Sequence, residues 1–407
     1  MATSSQGTER DVVVVGAGHN GLVTAAYLAQ AGRDVLVVER NERVGGAVAS
    51  AEITRPGFVH DLFATNMNLF CGSPAFAELG EGLGRHGLSF ATTSRPYASA
   101  FPDGASLRVY RDAERTRSLL AAHDAADAAG WDELRERYDR FAPLLFELYG
   151  TPLPSAAAVR ALARARRGLG PGGLSELAQL LAGSTRELGE TYFASPEARS
   201  LLAAWGMHLD FGPDVATGAM FPFLEVFTDM ANGMSVVEGG ASRLAAALAA
   251  LAGEAGAEVR TEAAARRILV DRGRAIGVEL ESGERIAVRR AVVANLTPGV
   301  LFNGMVPAEA LPNGFRRRVT SYAYGPGTMM VHAALDGPIP WSAGEDLHEF
   351  GYVHIGPYVA DMARTYTEAA NGYLPVSPLL VVAQPVTIDP SRAPPGKQVL
   401  SVQVRML

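Results

Sequence analysis

Residues 11–46 constrain this chain more than any other stretch. Residues 12–15 are four valines, long enough for a buried strand. A Gly-x-Gly-x-x-Gly follows at Gly16, Gly18 and Gly21. Leu22, Ala25, Ala26, Leu28 and Ala29 then recur at helical spacing, and Gly32 ends the helix. Residues 35–38 form a second apolar strand that closes on Glu39. Strand, glycine turn, helix, strand and acid, in that order, make a dinucleotide-binding unit. Gly16 allows the tight turn, and Gly18 leaves the backbone bare for a pyrophosphate. Gly21 lets the helix pack close. His19 and Asn20 open the helix, whose unpaired N–H groups suit a diphosphate. Glu39 accepts from ribose hydroxyls and disfavours a 2′-phosphate, with Arg40 next to it.

The sequence continues through Gly45 and Gly46 to Ala47, a second glycine loop able to approach the same diphosphate. With this pair the chain resembles FAD-containing oxidoreductases. The wording GAGHNGL, then ERNERVGGAVASAEITRPGF, is similar to the phytoene-desaturase-like and amine-oxidase-like flavoproteins. It is most similar to the branch named pyridine nucleotide-disulphide oxidoreductase domain-containing protein 2. The resemblance implies an α/β fold: a Rossmann-like FAD-binding domain with an inserted α+β substrate domain, a mixed sheet plus a helical lid. It places residues 1–60 and 236–300 in the FAD-binding domain, and residues 61–235 and 301–407 in the substrate-binding and lid domain. It implies that the strand at Ala265 holds adenine through its backbone, although the family usually has valine there. It also implies that the strand ending at Asn295 returns the chain to the flavin domain, and that residues 61–68 lie near the flavin ring. Read from the residues alone, 61–68 is equally a polar loop leaving the nucleotide domain.

Composition narrows the remaining choices. At 407 residues, 48% of them hydrophobic, the chain has room for two domains and a large core. A net charge of −7 gives no field that would attract nucleic acid. Cys71 is the one cysteine, so neither an intramolecular disulfide nor a protein dithiol carries electrons; a buried, inert thiol is expected. Residues 1–10 are polar, with no signal-peptide core, so a cytoplasmic location is expected. The histidines show no metal-ligand spacing with Cys71.

Further along, Asp103 and Gly104 mark a hairpin between residues 97–101 and 106–110. Residues 111–209 read as helical, with Asp112 and Thr116 as caps and regular apolar spacing over 131–149 and 174–188. Residues 159–167 read as a short basic helix ending at Gly168, either a solvated lid surface or a contact for an anionic membrane. The large apolar side chains over 192–234 read as core, some of them lining a substrate tunnel. His208 and Asp210 are the polar exceptions, His208 being either a satisfied core residue or a catalyst. A helix that starts within 237–244 and runs to 251 leads into a turn and strand over 256–260 and a meander through 268–288. A separate buried strand follows at 291–294. Residues 322–335, 379–386 and 398–404 read as substrate-domain strands.

In the resembled family a glycine-rich turn opens a last helix against the flavin ring. No such turn is read after Asn295, which implies a shortened chain or a fragment. The leading expectation is an FAD-dependent oxidoreductase, desaturase, dehydrogenase or oxidase in type. It would move a hydride from a hydrophobic small molecule to flavin N5. Without a second Gly-x-Gly-x-x-Gly for NAD(P)H, the expected electron acceptor is oxygen or a quinone. No residue declares itself as the catalytic base; His60 and Asp61 are candidates by position alone. The alternative is a binding or regulatory protein like the GDP-dissociation inhibitors, which share this architecture.

Overall fold

The computed structural model describes residues 9–356 and 358–405. The polar stretch 1–8, Pro357 and residues 406–407 lie outside the described residues.

The valine run becomes the middle of a six-stranded sheet. Its order is Ala265–Asp271, Arg274–Leu280, Arg285–Ala294, Glu9–Val15, Val35–Val38, Glu258–Arg260. Glu9–Val15 is parallel to both neighbours, which is why residues 12–15 are apolar on both faces. The helices His19–Gln30 and Ser242–Glu254 cover one face, meeting through Leu22, Ala25, Leu244 and Leu248. The opposite face packs Val13, Val15, Leu36 and Val38 against Ile268, Val278 and Ile286. This is a Rossmann-like α/β unit. Met305, Leu301 and Val306 complete its core from the far side of the expected boundary at residue 300.

A second mixed sheet has the order Thr328–Leu335, Gln398–Arg405, Leu379–Ala383, Tyr352–Ile355, Tyr97–Ala100, Ser106–Val109. The expected hairpin at Gly104 supplies its last two strands. Helices over residues 113–232 lie on one face and bury Trp131, Trp205, Phe223 and Phe227 against it. Two short ribbons tie the halves together: Ser50–Ala51 with His60–Asp61, and Phe90–Thr93 with Met234–Val237.

Several local readings are corrected. The meander's last segment and the strand over 291–294 are one strand, Arg285–Ala294, because its first half pairs with Arg274–Leu280 and its length pairs with Glu9–Val15. The regular spacing over 174–188 spans two helices, broken at Gly183 and restarted by a Ser184–Glu187 capping box. Asp112 is a cap, but Thr116 lies inside its helix, where its hydroxyl accepts from the Tyr110 N–H at 2.9 Å. The basic helix does not stop at Gly168. It belongs to Ala156–Ala182, kinked at Gly170. Cys71 is half-buried, and burial pushes its thiol up to about 11.

Candidate nucleotide cofactor site

Strand Glu9–Val15 delivers the chain to Gly16, which turns at φ +96°. The next helix starts at His19 with Gly18 as its N-cap and no side-chain cap, so its first N–H groups face outward. Gly18 forms a parallel bridge with Gly45, and the Gly45 N–H donates to the Ala17 carbonyl at 2.8 Å. Gly46 turns at φ +60°, and a Cβ there would sit 3.3 Å from the Gly18 Cα. The two glycine loops therefore touch backbone to backbone.

Gly21 has the expected packing role, since a Cβ there would run into the Gly16 carbonyl oxygen. Gly18 has a neighbour the sequence did not indicate: a Cβ would meet Asn295 Nδ2 at 2.8 Å. The Asn295 N–H donates to the Val15 carbonyl at 2.9 Å, and its side-chain amide donates to Gly16 at 3.3 Å. Asn295 thus braces the glycine turn from the neighbouring strand.

Glu39 is buried and held by three donors. Its Oε2 accepts from the Ala17 N–H at 2.8 Å. Its Oε1 accepts from the Asn41 N–H at 3.0 Å and from Asn41 Nδ2 at 2.9 Å. A carboxylate has about four acceptor sites, so capacity remains on the side that lines the cleft. That cleft, about 520 Å³, brings together Gly16, Gly18, His19, Glu39 and Arg40 with Gly46, Ala47, Ala265 and Asn295. Burial lowers the pKa of His19, which leaves it neutral. Asn20, Gly21 and Gly45 do not line the cleft; the two glycines support the loops from behind, and Asn20 is exposed.

Sequence reasoning missed Asn41, Glu281, Thr297 and Met305, which also line the cleft. Asn41 had a signal, standing two residues after Glu39. Met305 had none: it arrives on a π-helical turn, Leu301–Met305.

His60 and Asp61 lie outside this cleft. Asp61 Oδ1 accepts from the Ala241 N–H at 2.8 Å and pairs with Arg392 Nη1 at 3.0 Å. Arg392, fully buried, also bonds Asp389 at 2.7 Å and donates to the Val237 carbonyl at 2.7 Å. Asp61 is therefore a strut that anchors the turn before helix Ser242–Glu254. His60 Nε2 sits 2.7 Å from Thr54 Oγ1; burial, with His332 and Arg392 nearby, pushes its imidazole down to about 4. The stretch after Asp61 docks on helix Met220–Asn232: the Asn68 amide donates to Asp229 and to the Gly233 carbonyl.

Residues 21–405 match the family model described as flavin containing amine oxidoreductase. A limonene dehydrogenase component from Castellaniella defragrans is 29% identical over 313 residues, covering 74% of this chain and 54% of that one. Pyridine nucleotide-disulfide oxidoreductase domain-containing protein 2 of Rattus norvegicus is 27% identical over 430 residues, covering 97% of this chain and 73% of that one. The chain thus spans about half the length of the first relative and about three quarters of the second. An oxidoreductase structure from Methanosarcina mazei superposes with a TM-score of 0.62 at 17% identity, covering 98% of this chain and 79% of that one. The Rossmann-like sheet, the paired glycine loops and the match over nearly the whole length agree: this chain belongs to the flavin-containing amine oxidoreductase family.

Proposed function

We propose that this chain is an FAD-dependent oxidoreductase that removes a hydride from a hydrophobic organic substrate. The observation that carries this is the contact of the two glycine loops at one cleft, with Glu39 fixed at its edge. The residues present fit the ADP half of FAD. Bare backbone at Gly18 and Gly46, beside an uncapped helix N-terminus, suits a diphosphate. Glu39 suits an unphosphorylated ribose, and the strand edge at Ala265 suits adenine. When bound, FAD supplies the acceptor for a hydride from a substrate C–H bond, with the accompanying proton leaving to solvent. The chain's own share is to hold the cofactor, to orient the substrate and to exclude water. The lid core around Trp131, Trp205, Phe223 and Phe227 supports the last of these. A hydrophobic substrate is supported by the limonene named in one relative. His60 and Asp61 are engaged elsewhere, so neither is assigned as a base. The intact cleft and the family match favour this reading over a GDP-dissociation-inhibitor-like binding protein.

The test is an absorbance spectrum of the purified chain, with and without added FAD, before and after gel filtration. Flavin bands that survive filtration support the reading. A chain that stays colourless in excess FAD overturns it.

A further inference from the structure

Away from the cofactor cleft, the core between the helical lid and the second sheet holds polar atoms with nothing to bond. Tyr352 and His354 stand beside Tyr97 and Ser99 in a parallel pairing, so all four project from one face. Helix Pro196–His208 lays Trp205 and His208 against them. The Trp205 ring lies 5.1 Å from His354, 5.1 Å from His208 and 5.3 Å from Tyr97, centroid to centroid. His208 and His354 are 5.9 Å apart. Ser99, Trp205 and His354 are 2%, 2% and 0% exposed, while His208 is partly exposed.

Among the described residues, Ser99 Oγ, His208 Nδ1 and both nitrogens of His354 are closed off without a hydrogen-bond partner, while Trp205 is engaged by Tyr97 and the rest of the His208 ring by Gln403. Buried polar groups are nearly always paired, and each one left unpaired loses its water for no return. A position that served packing alone would be filled more stably by phenylalanine or leucine. Ligand sites set a few such donors and acceptors within apolar walls. The patch also adjoins the stretch that docks on helix Met220–Asn232, since Tyr352 reaches the Asn66 backbone.

The chemistry of the unmet atoms selects the ligand. Burial pushes the His354 imidazole down to about 3, and burial, His354 and Arg405 hold His208 well below its ordinary value. Each ring is then neutral, with one donor and one acceptor. Ser99 adds both. Uncharged donors and acceptors complement an uncharged oxygen, and Arg405, the cation beside His208, is already paired with Asp210.

We propose that Ser99, His208 and His354, walled by the Trp205 ring, form a polar subsite that takes the hydroxyl or carbonyl oxygen of an otherwise apolar substrate. This deepens the oxidoreductase reading and rests on it for the word substrate. The preferred molecule is an oxygenated hydrocarbon, an alcohol or ketone with an apolar body.

The experiment uses 1-octanol and n-octane as probes on the full chain carrying ¹⁵N-labelled histidine. The two imidazoles are assigned from the His208→Phe and His354→Phe variants. Octanol is expected to shift both signals saturably, and octane at matched activity to leave them in place. His354→Phe is expected to weaken octanol binding at least ten-fold and to melt at the same or a higher temperature, because an apolar ring replaces orphaned nitrogens. Ser99→Ala, a smaller change, is expected to weaken octanol binding with its melting temperature unchanged. Imidazole signals that ignore octanol overturn the proposal. So does a lowered melting temperature in both variants, which would assign these atoms to internal waters that hold the fold. Flavin content is read separately from the same samples. Loss of the flavin bands bears on the oxidoreductase reading and leaves the octanol result standing.

Discussion

Gly18 and Gly21 lie in one turn yet answer to different neighbours. A methyl group at Gly21 meets the Gly16 carbonyl, which is backbone and cannot swing away. Gly21→Ala is expected to cost about 1–3 kcal/mol of stability by overpacking, read in a urea melt. A methyl group at Gly18 meets only the Asn295 side-chain amide, which can rotate. Gly18→Ala is therefore expected to keep its melt and still bind FAD on the order of 100-fold more weakly, about 2.7 kcal/mol, because the methyl group stands where the diphosphate must approach. Equal melts and equal FAD affinities for both variants would refute the distinction. Arg392 holds Asp61 and Asp389 together with no solvent access. Arg392→Met leaves two buried carboxylates without their cation, and a loss of about 3–5 kcal/mol is expected in the same melt. Glu225 gives the pH prediction. Burial pushes its carboxyl from 4.5 up to about 7. Within that window the folded chain keeps a proton that the unfolded chain has released. Stability is therefore lost as pH rises through the window, by at most about 1.4 kcal/mol per pH unit, and is flat above it. Asp229, on the same helix, is raised by burial and by Glu225 and titrates in the same sense, so the difference between wild type and Glu225→Gln reports Glu225 together with its coupling to Asp229. Melting temperatures of the two proteins from about pH 5 to pH 8 should converge toward acid and separate toward base. Parallel curves would remove Glu225 as the cause.

At the scale of single elements, helix Ala156–Ala182 shows what a one-dimensional reading misses. Gly168, Gly170 and Pro171 look like a stop, yet Gly170 takes φ +66° and Pro171 begins a second helical half. Proline is well placed at a helix start, so the same residues that end one half begin the next. The first half leaves Val159 and Leu162 67% and 50% exposed among Arg160, Arg164, Arg166 and Arg167. Among the described residues no helix is long and apolar enough to cross a membrane. For this face we propose contact with the surface of an anionic bilayer, each basic residue contributing about 1 kcal/mol near such a surface. The chain is expected to sediment with phosphatidylglycerol vesicles and not with phosphatidylcholine vesicles, and to be released by salt. Val159→Ser with Leu162→Ser should weaken sedimentation. Equal recovery with both vesicle types would count against the contact.

For the whole molecule, the cleft predicts linkage between cofactor and stability. FAD at about 100 times its dissociation constant should stabilise the chain by about 2.7 kcal/mol, read as a rise in melting temperature. ADP alone should give part of that rise, since the two glycine loops address the diphosphate. A melt unmoved by either ligand would detach the cleft from the nucleotide. What the sequence determined by itself lies mostly within residues 11–46: strand, turn, helix, second strand and Glu39 are all local in chain order, and each is dictated by backbone freedom or by apolar period. The second glycine loop and Ala265 were expected through resemblance, and Gly46, Ala47 and Ala265 line the cleft. Only the tertiary structure decided that Asn295 braces Gly16 and Gly18 from a strand more than half the chain away, or that Met305 reaches the cleft. It alone turned Asp61 from a candidate base into a strut for Arg392, and it gathered His208 and His354 from a helix and a strand into one patch. Such contacts join residues far apart in sequence. No local propensity encodes them, because they are set by how the two sheets and the lid pack.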